Sequence, residues 1–236
     1  MIQHILNNQT MSSLQADSSF NELLHYINKF IPAALDGLYT TFIIFIITLL
    51  ISIPLGIIVA LCRLSTFKPL SKFTELYIWV MRGTPLLLQL IFVYFGLPEL
   101  GIKFNRLTAA LFAFSLNYAA YFAEIFRAGI ASIDKGQYEG AEVLGLSKAQ
   151  TFKLVVLPQV IKRVLPAIAN EVITLVKDTA LVYVLAITDL LRTAKIAANR
   201  DATLVPYALV GIVYLILVYG FTKLFDRVEK RLAYYE

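Results

Sequence analysis

The sequence predicts an all-α integral membrane protein with five transmembrane helices, and three observations carry that prediction. Hydrophobic residues make up 58% of the chain and charged residues 16%, against about 45–50% and 25% in soluble domains. Leu38 to Cys62 runs without a charge, long enough for one crossing of about 20 residues with some tilt. The Lys and Arg residues punctuate apolar segments instead of forming runs. A net charge of +5 therefore reports membrane topology and gives no reason to expect nucleic acid.

The remaining composition narrows the class. The length suits a single domain. Cys62 is the lone cysteine, which excludes an internal disulfide, and without paired CxxC or HExxH spacings no metal site is expected. The N-terminus has no basic segment followed by an apolar one, so no cleaved signal peptide is expected.

In order along the chain, residues 1–36 form an extracytoplasmic segment. Residues 1–19 are polar and expected to be loose. Phe20, Leu23, Leu24, Ile27, Phe30 and Ile31 then recur at helical spacing before Pro32. Such a stripe suits an amphipathic helix lying on the interface, or equally a helix packed on the bundle. The membrane domain covers 37–231, with spans at about 38–62, 76–97, 107–128, 166–188 and 202–222, and 232–236 form a cytoplasmic tail. Pro54 and Gly56 lie inside the first span, where neighbouring helices can satisfy a freed carbonyl. The second is apolar after Arg82 and ends in a Gly-Leu-Pro turn. Glu124 and Arg127 close the third, three residues apart and able to pair.

Between the third and fourth spans lies a polar island, residues 136–158. Glu139 to Leu144 is good helix material, and Gly145 stands where a left-handed cap belongs. Ser147 followed by Gln150 fits a capping box opening a second helix. Pro158 is expected to close that helix, since its ring cannot continue the ladder. Two short helices at a glycine corner form either a knob for a groove in another protein or an ordinary helical loop. Thirteen Lys and Arg residues fall on the island's side of the membrane and six on the other, placing the island and the C-terminus inside and the N-terminus outside.

Ionisable groups within spans need a cavity or a partner. On the fourth span Asn170, Glu171, Thr174, Lys177 and Asp178 share a polar arc. Gln89 lies on the face of Arg82, and Asn117 on that of Tyr121 and Glu124, with Tyr118 at its edge. Lys177, Asp178, Gln89, Asn117, Tyr118, Arg82 and Glu124 are thus the candidate substrate-binding set, chemically suited to a zwitterion. Mutual neutralisation, with Lys177 and Asp178 serving each other's surroundings and Arg82 pairing with Glu124, is the structural alternative.

Glu139-Gly140-Ala141, Gly145 four residues on and Val155-Val156-Leu157-Pro158 after nine more resemble the EAA loop of ABC-importer permeases, with Gly140 and Val155 departing from the usual alanine and isoleucine. Arg82-Gly83-Thr84-Pro85, Gly136-Gln137, Leu157-Pro158-Gln159 and Lys177-Asp178-Thr179 are further similar to the polar amino-acid branch of that family. The similarity covers about residues 37–231. It implies a five-helix ABC importer permease of a prokaryotic cytoplasmic membrane with a cytoplasmic coupling helix. Its implied partners are ABC ATPase subunits, a second permease copy, an extracytoplasmic solute-binding protein and a polar amino acid. Glu139, Gly140, Ala141, Gly145, Leu157 and Pro158 would couple the path to the ATPases. The chain has no phosphate-binding loop of its own, so no cofactor is expected on it and ATP hydrolysis is assigned to the partner. The rival reading is a self-sufficient secondary carrier using Asp178 or Glu124 as its ion site. An intramembrane enzyme is disfavoured because no nucleophile–base pair shares a face or motif.

Overall fold

In the computed structural model, residues 2–232 are described, with side chains at Asn21 and from Leu24 onward. Among these residues all regular structure is helical. Helix α1 runs unbroken from Ile2 to Arg63, about 93 Å at 1.5 Å per residue. Both the loose N-terminus and the stop at Pro32 expected from sequence are therefore corrected. Pro32 and Pro54 lie inside α1, each removing one backbone bond while the ladder continues on either side. Phe30 settles the choice for its own stretch. It is buried with Leu190, Ala194, Ala197 and Val210, so this part of α1 packs on the bundle.

Helix α4 (Arg106–Ala131) starts at Asn105, whose side chain accepts the Thr108 N–H, and forms the centre of the bundle. Ala109, Ala110, Ala113, Ala119, Ala120 and Ala123 are all buried, and small side chains let neighbouring backbones come close. Against this face α1 brings Gly56, where an added Cβ would stand 2.7 Å from Phe122 Cβ and 3.1 Å from the Ala119 carbonyl. Ile44, Phe45, Phe114, Tyr118, Phe122, Leu175 and Val176 fill the main core between α1, α4 and α7.

The second crossing is not the single apolar rod expected for 76–97. Helix α2 (Lys68–Gly83) ends, and only Thr84 and Pro85 separate it from α3 (Leu86–Ile91). The stretch 86–100 departs from the α2 axis by 104°. Pro85 is the cause, because it pushes the preceding residue into extended geometry, and Thr84 sits at φ −118°, ψ 146°. By length and composition, Leu24–Arg63 of α1, α4 and α9 (Val205–Leu232) can cross a membrane, with the bent pair as a fourth crossing. Helix α7 (Leu157–Asp178) carries five charged residues and does not meet that composition. It stops at Asp178, passing into a 3-10 segment, Thr179–Leu185. Helix α8 (Leu190–Asp201) then precedes α9, its start fixed by the Asp189 carboxylate accepting the Leu191 and Arg192 N–H groups.

The polar island forms the expected corner. Helix α5 (Lys135–Val143) is followed by Gly145 at φ +74°, a backbone region that costs an L side chain about 1–2 kcal/mol. Helix α6 (Lys148–Thr151) opens with the complete Ser147–Gln150 capping box. Pro158, however, does not close the second helix. Residues Phe152–Val156 widen into a π-turn in which the Leu157 N–H reaches the Phe152 carbonyl, and the chain runs straight on into α7. The wider turn takes up the proline ring, and the Gln159 side-chain amide donates to the Val155 carbonyl at 2.9 Å.

Candidate functional site

The break in the second crossing organises the site. The last carbonyls of α2 have no helical partner, and three polar side chains take up those of Val80 and Met81. Thr84 Oγ1 donates to Val80 O at 2.8 Å. Gln89 Nε2 donates to Met81 O at 2.9 Å and to Thr84 Oγ1 at 2.7 Å. Asn117 Nδ2 donates to Met81 O and to Gln89 Oε1, each at 3.0 Å. The sequence brought Gln89 and Asn117 together as substrate groups. The structure does bring them together, with both amide nitrogens donating to protein carbonyl and hydroxyl oxygens.

Beside the break opens a central cavity of about 560 Å3, with Arg82, Asn117, Tyr118, Tyr121, Glu171 and Asp178 in its lining. Glu171, Thr174 and Asp178 come from successive turns of α7, which packs on α4. Tyr118 is 2% exposed, and its hydroxyl donates to Asp178 Oδ2 at 2.7 Å, fixing that carboxylate from the α4 side. Arg82 lies over the Tyr121 ring, 5.3 Å from its centroid.

Two expected partnerships are redrawn. Glu124 pairs with Arg127 through two bonds of 2.6 and 2.9 Å, so Arg82 and Glu124 are not an ion pair. Lys177 is exposed and stands outside the cavity lining that holds Asp178, because consecutive residues on a helix point about 100° apart. Glu171 and Tyr121 join the lining from the polar faces of their helices, outside the candidate set that the sequence suggests. Seven-residue spacing from Asp178 was the signal for Glu171.

A smaller cavity of about 340 Å3 continues from the first, lined by Arg82, Tyr121, Glu124, Arg163 and Glu171. A third, of about 920 Å3, lies between the ends of α1, α2 and α4, and Arg63, Lys72, Glu75, Arg82, Glu124 and Arg127 line it. Arg63 and Glu75 pair there at 2.9 Å.

At the corner between α5 and α6, Glu139 and Gly140 are exposed while Ala141 is buried. Val143 and Leu144 are 88% and 79% exposed. Gln159 Nε2 donates to Gln137 Oε1 at 3.0 Å, tying the start of α7 to α5, and Arg163 holds Ser132 through its carbonyl and hydroxyl. Leu157 and Pro158 occupy the first turn of α7. The corner is thus joined rigidly to the helix that carries Glu171 and Asp178.

A helix broken at a charged cavity, joined by one continuous helix to an exposed corner bearing bare aliphatic side chains, defines a multi-pass membrane transport subunit. The chain belongs to the family of binding-protein-dependent transport system inner membrane components, whose model matches residues 52–234. It is 44% identical over 204 residues to the arginine transport system permease ArtQ of Bacillus subtilis, covering 86% of this chain and 93% of that one. Over 212 residues it is 38% identical to the glutamate/aspartate import permease GltK of Escherichia coli, covering 86% and 95%. A crystal structure of an amino acid ABC transporter with histidines superimposes with a TM-score of 0.82 at 37% identity, covering 87% of this chain and 97% of that one. The inward-facing MetNI methionine transporter shares the fold, with a TM-score of 0.65 at 19% identity. These likenesses give no support to a self-sufficient carrier.

Proposed function

We propose that the chain is the permease subunit of an ATP-driven importer for amino acids and that the central cavity at the α2–α3 break is its substrate site. The observation that carries this reading is the charge balance of that cavity, with Glu171 and Asp178 set against Arg82. An amino acid brings one carboxylate, which suits Arg82 bidentately, and one ammonium, which suits Asp178. Glu171 is left over, so an amino acid with a cationic side chain fits better than a neutral or acidic one. Discontinuous helices that end at a site are a recurrent way to present backbone dipoles to a solute.

In this reading the α5–Gly145–α6 corner faces the cytoplasm and docks on separate ATPase subunits. A second permease copy completes the path, and a solute-binding protein delivers substrate from outside. The N-terminus is outside and the C-terminus inside. No cofactor sits on this chain, since ATP is used by the partner. ATP-driven closure moves the corners, and the unbroken run from α6 through α7 transmits that motion to Glu171 and Asp178.

The test is uptake by proteoliposomes holding the permease with its ATPase and binding protein, with arginine, glutamine and glutamate compared as substrates. Arginine uptake that requires ATP, and that Asp178→Asn or Glu171→Gln slows at least tenfold while the complex still assembles, supports the site. Wild-type transport that persists without ATP, or variants that lose assembly instead of transport, would overturn it.

A further inference from the structure

We infer that Arg82 is the moving barrier between the central cavity and the cytoplasmic end, and that Glu124 is the positioning residue that receives it when substrate is released. The inference rests on the central cavity being the substrate site.

Arg82 lines the central cavity, the smaller one below it and the large one at the coupling end. Its place at the crossing of all three follows from the break, because it lies in the last turn of α2 with Gly83 and Thr84 beyond. Two carboxylates flank it. Glu171 lies on the central side and Glu124 on the coupling side, yet among the described residues Arg82 makes an ion pair with neither. It rests on the Tyr121 ring instead, a cation–π contact held only by the ring's quadrupole. A bidentate guanidinium–carboxylate contact is stronger and directional. The ring is therefore a resting place that Arg82 leaves easily for either side. Glu124, meanwhile, is held by Arg127.

These contacts make a two-position element. With substrate bound, Arg82 holds the substrate carboxylate and its side chain fills the crossing. For release that carboxylate must be exchanged for another, and Glu124 is the group on the far side of the crossing. Arg127 sets the timing, because Glu124 must turn from Arg127 to accept Arg82. An equilibrium of this kind shifts only as far as the two positions differ in partner strength.

The consequence separates the two members of one salt bridge. Glu124→Gln removes the acceptor, so release slows. Arg127→Gln frees Glu124 to capture Arg82 permanently, so the crossing stays open. In reconstituted complexes, Glu124→Gln should lower maximal ATP-driven uptake about tenfold, lower the apparent KM and leave ATP hydrolysis running. Arg127→Gln should let preloaded substrate leak from ATP-free vesicles at several times the wild-type rate. A purely structural pair predicts the same phenotype from both. Matching phenotypes, whether both normal or both impaired, overturn the gate. If either Gln variant fails to assemble, Glu124→Asp and Arg127→Lys should show the same opposition at smaller size, and failure of these too assigns the pair a structural role and overturns the proposal. A wild-type complex with no ATP-dependent uptake would instead remove the importer reading beneath it.

Discussion

Asn117 provides a quantitative test of what holds the broken crossing. Replacing it with alanine removes two donated hydrogen bonds, to Met81 O and to Gln89 Oε1. Met81 O keeps its bond from Gln89, so one acceptor is left bare in a site where Asn117 is 3% exposed. Polar contacts inside membrane proteins average about 0.6 kcal/mol and reach about 1.7. The expected loss for two is about 1–3 kcal/mol, which corresponds to about 2–12 °C in melting temperature for a chain of this size. Thermal unfolding of the detergent-solubilised complex, followed by size-exclusion chromatography, reads it directly. Gln89→Ala should cost more, since that side chain bonds Thr84 as well. The double variant should fall short of the sum by the one shared bond, about 0.6–1.7 kcal/mol. Transport by surviving complex should keep its KM within about twofold. A tenfold rise in KM with an unchanged melting temperature would refute the argument and make Asn117 a substrate ligand.

Other substitutions probe single contacts elsewhere. Gly56→Ala puts a Cβ against Phe122 and the Ala119 carbonyl and should cost about 1–3 kcal/mol as overpacking; Gly211→Ala, which meets nothing within 4 Å, is the matched control, and equal melting temperatures would dismiss the close contact. Gly145→Ala meets open space but keeps φ +74°, so it should destabilise the corner by about 1 kcal/mol and weaken co-purification of the ATPase, and an unchanged yield of complex would count against a docking role. At the other end, Arg200 and then Tyr26, with Lys29 nearby, hold the Asp201 carboxyl below its ordinary range. A depressed folded-state value means this contribution is complete above about pH 4, the unfolded value, and fades as the pH falls through the folded one. The protection of amides 24–29 against hydrogen exchange, taken relative to the intrinsic rate at each pH, should therefore fall in acid, and Asp201→Asn should flatten that dependence; the same acid response in the variant would rule the tie out.

The features legible in the sequence are those decided within about four residues. Gly145 was readable because only glycine adopts a left-handed backbone without cost, and the Ser147–Gln150 box because both partners lie in one turn. The charge-free runs marked α1 and α9, and the polar arc of α7 marked Asp178, since helical periodicity fixes which residues share a face. Partner choice across helices was not written there. Helical periodicity could not show that Gln89 and Asn117 turn to the Met81 carbonyl of α2, that Glu124 prefers Arg127 to Arg82, or that Lys177 leaves Asp178 to Tyr118. Nor could Pro158 announce that a π-turn would absorb it, because a proline need not end a helix where a wider turn makes room for its ring. Which faces are polar and where a glycine cap or capping box stands follow from the order of residues alone, because helical periodicity and capping are local. Which polar groups support the break and which line the cavity beside it depends on the packed bundle, because hydrogen bonds there are assigned by distances between helices that no single helix contains.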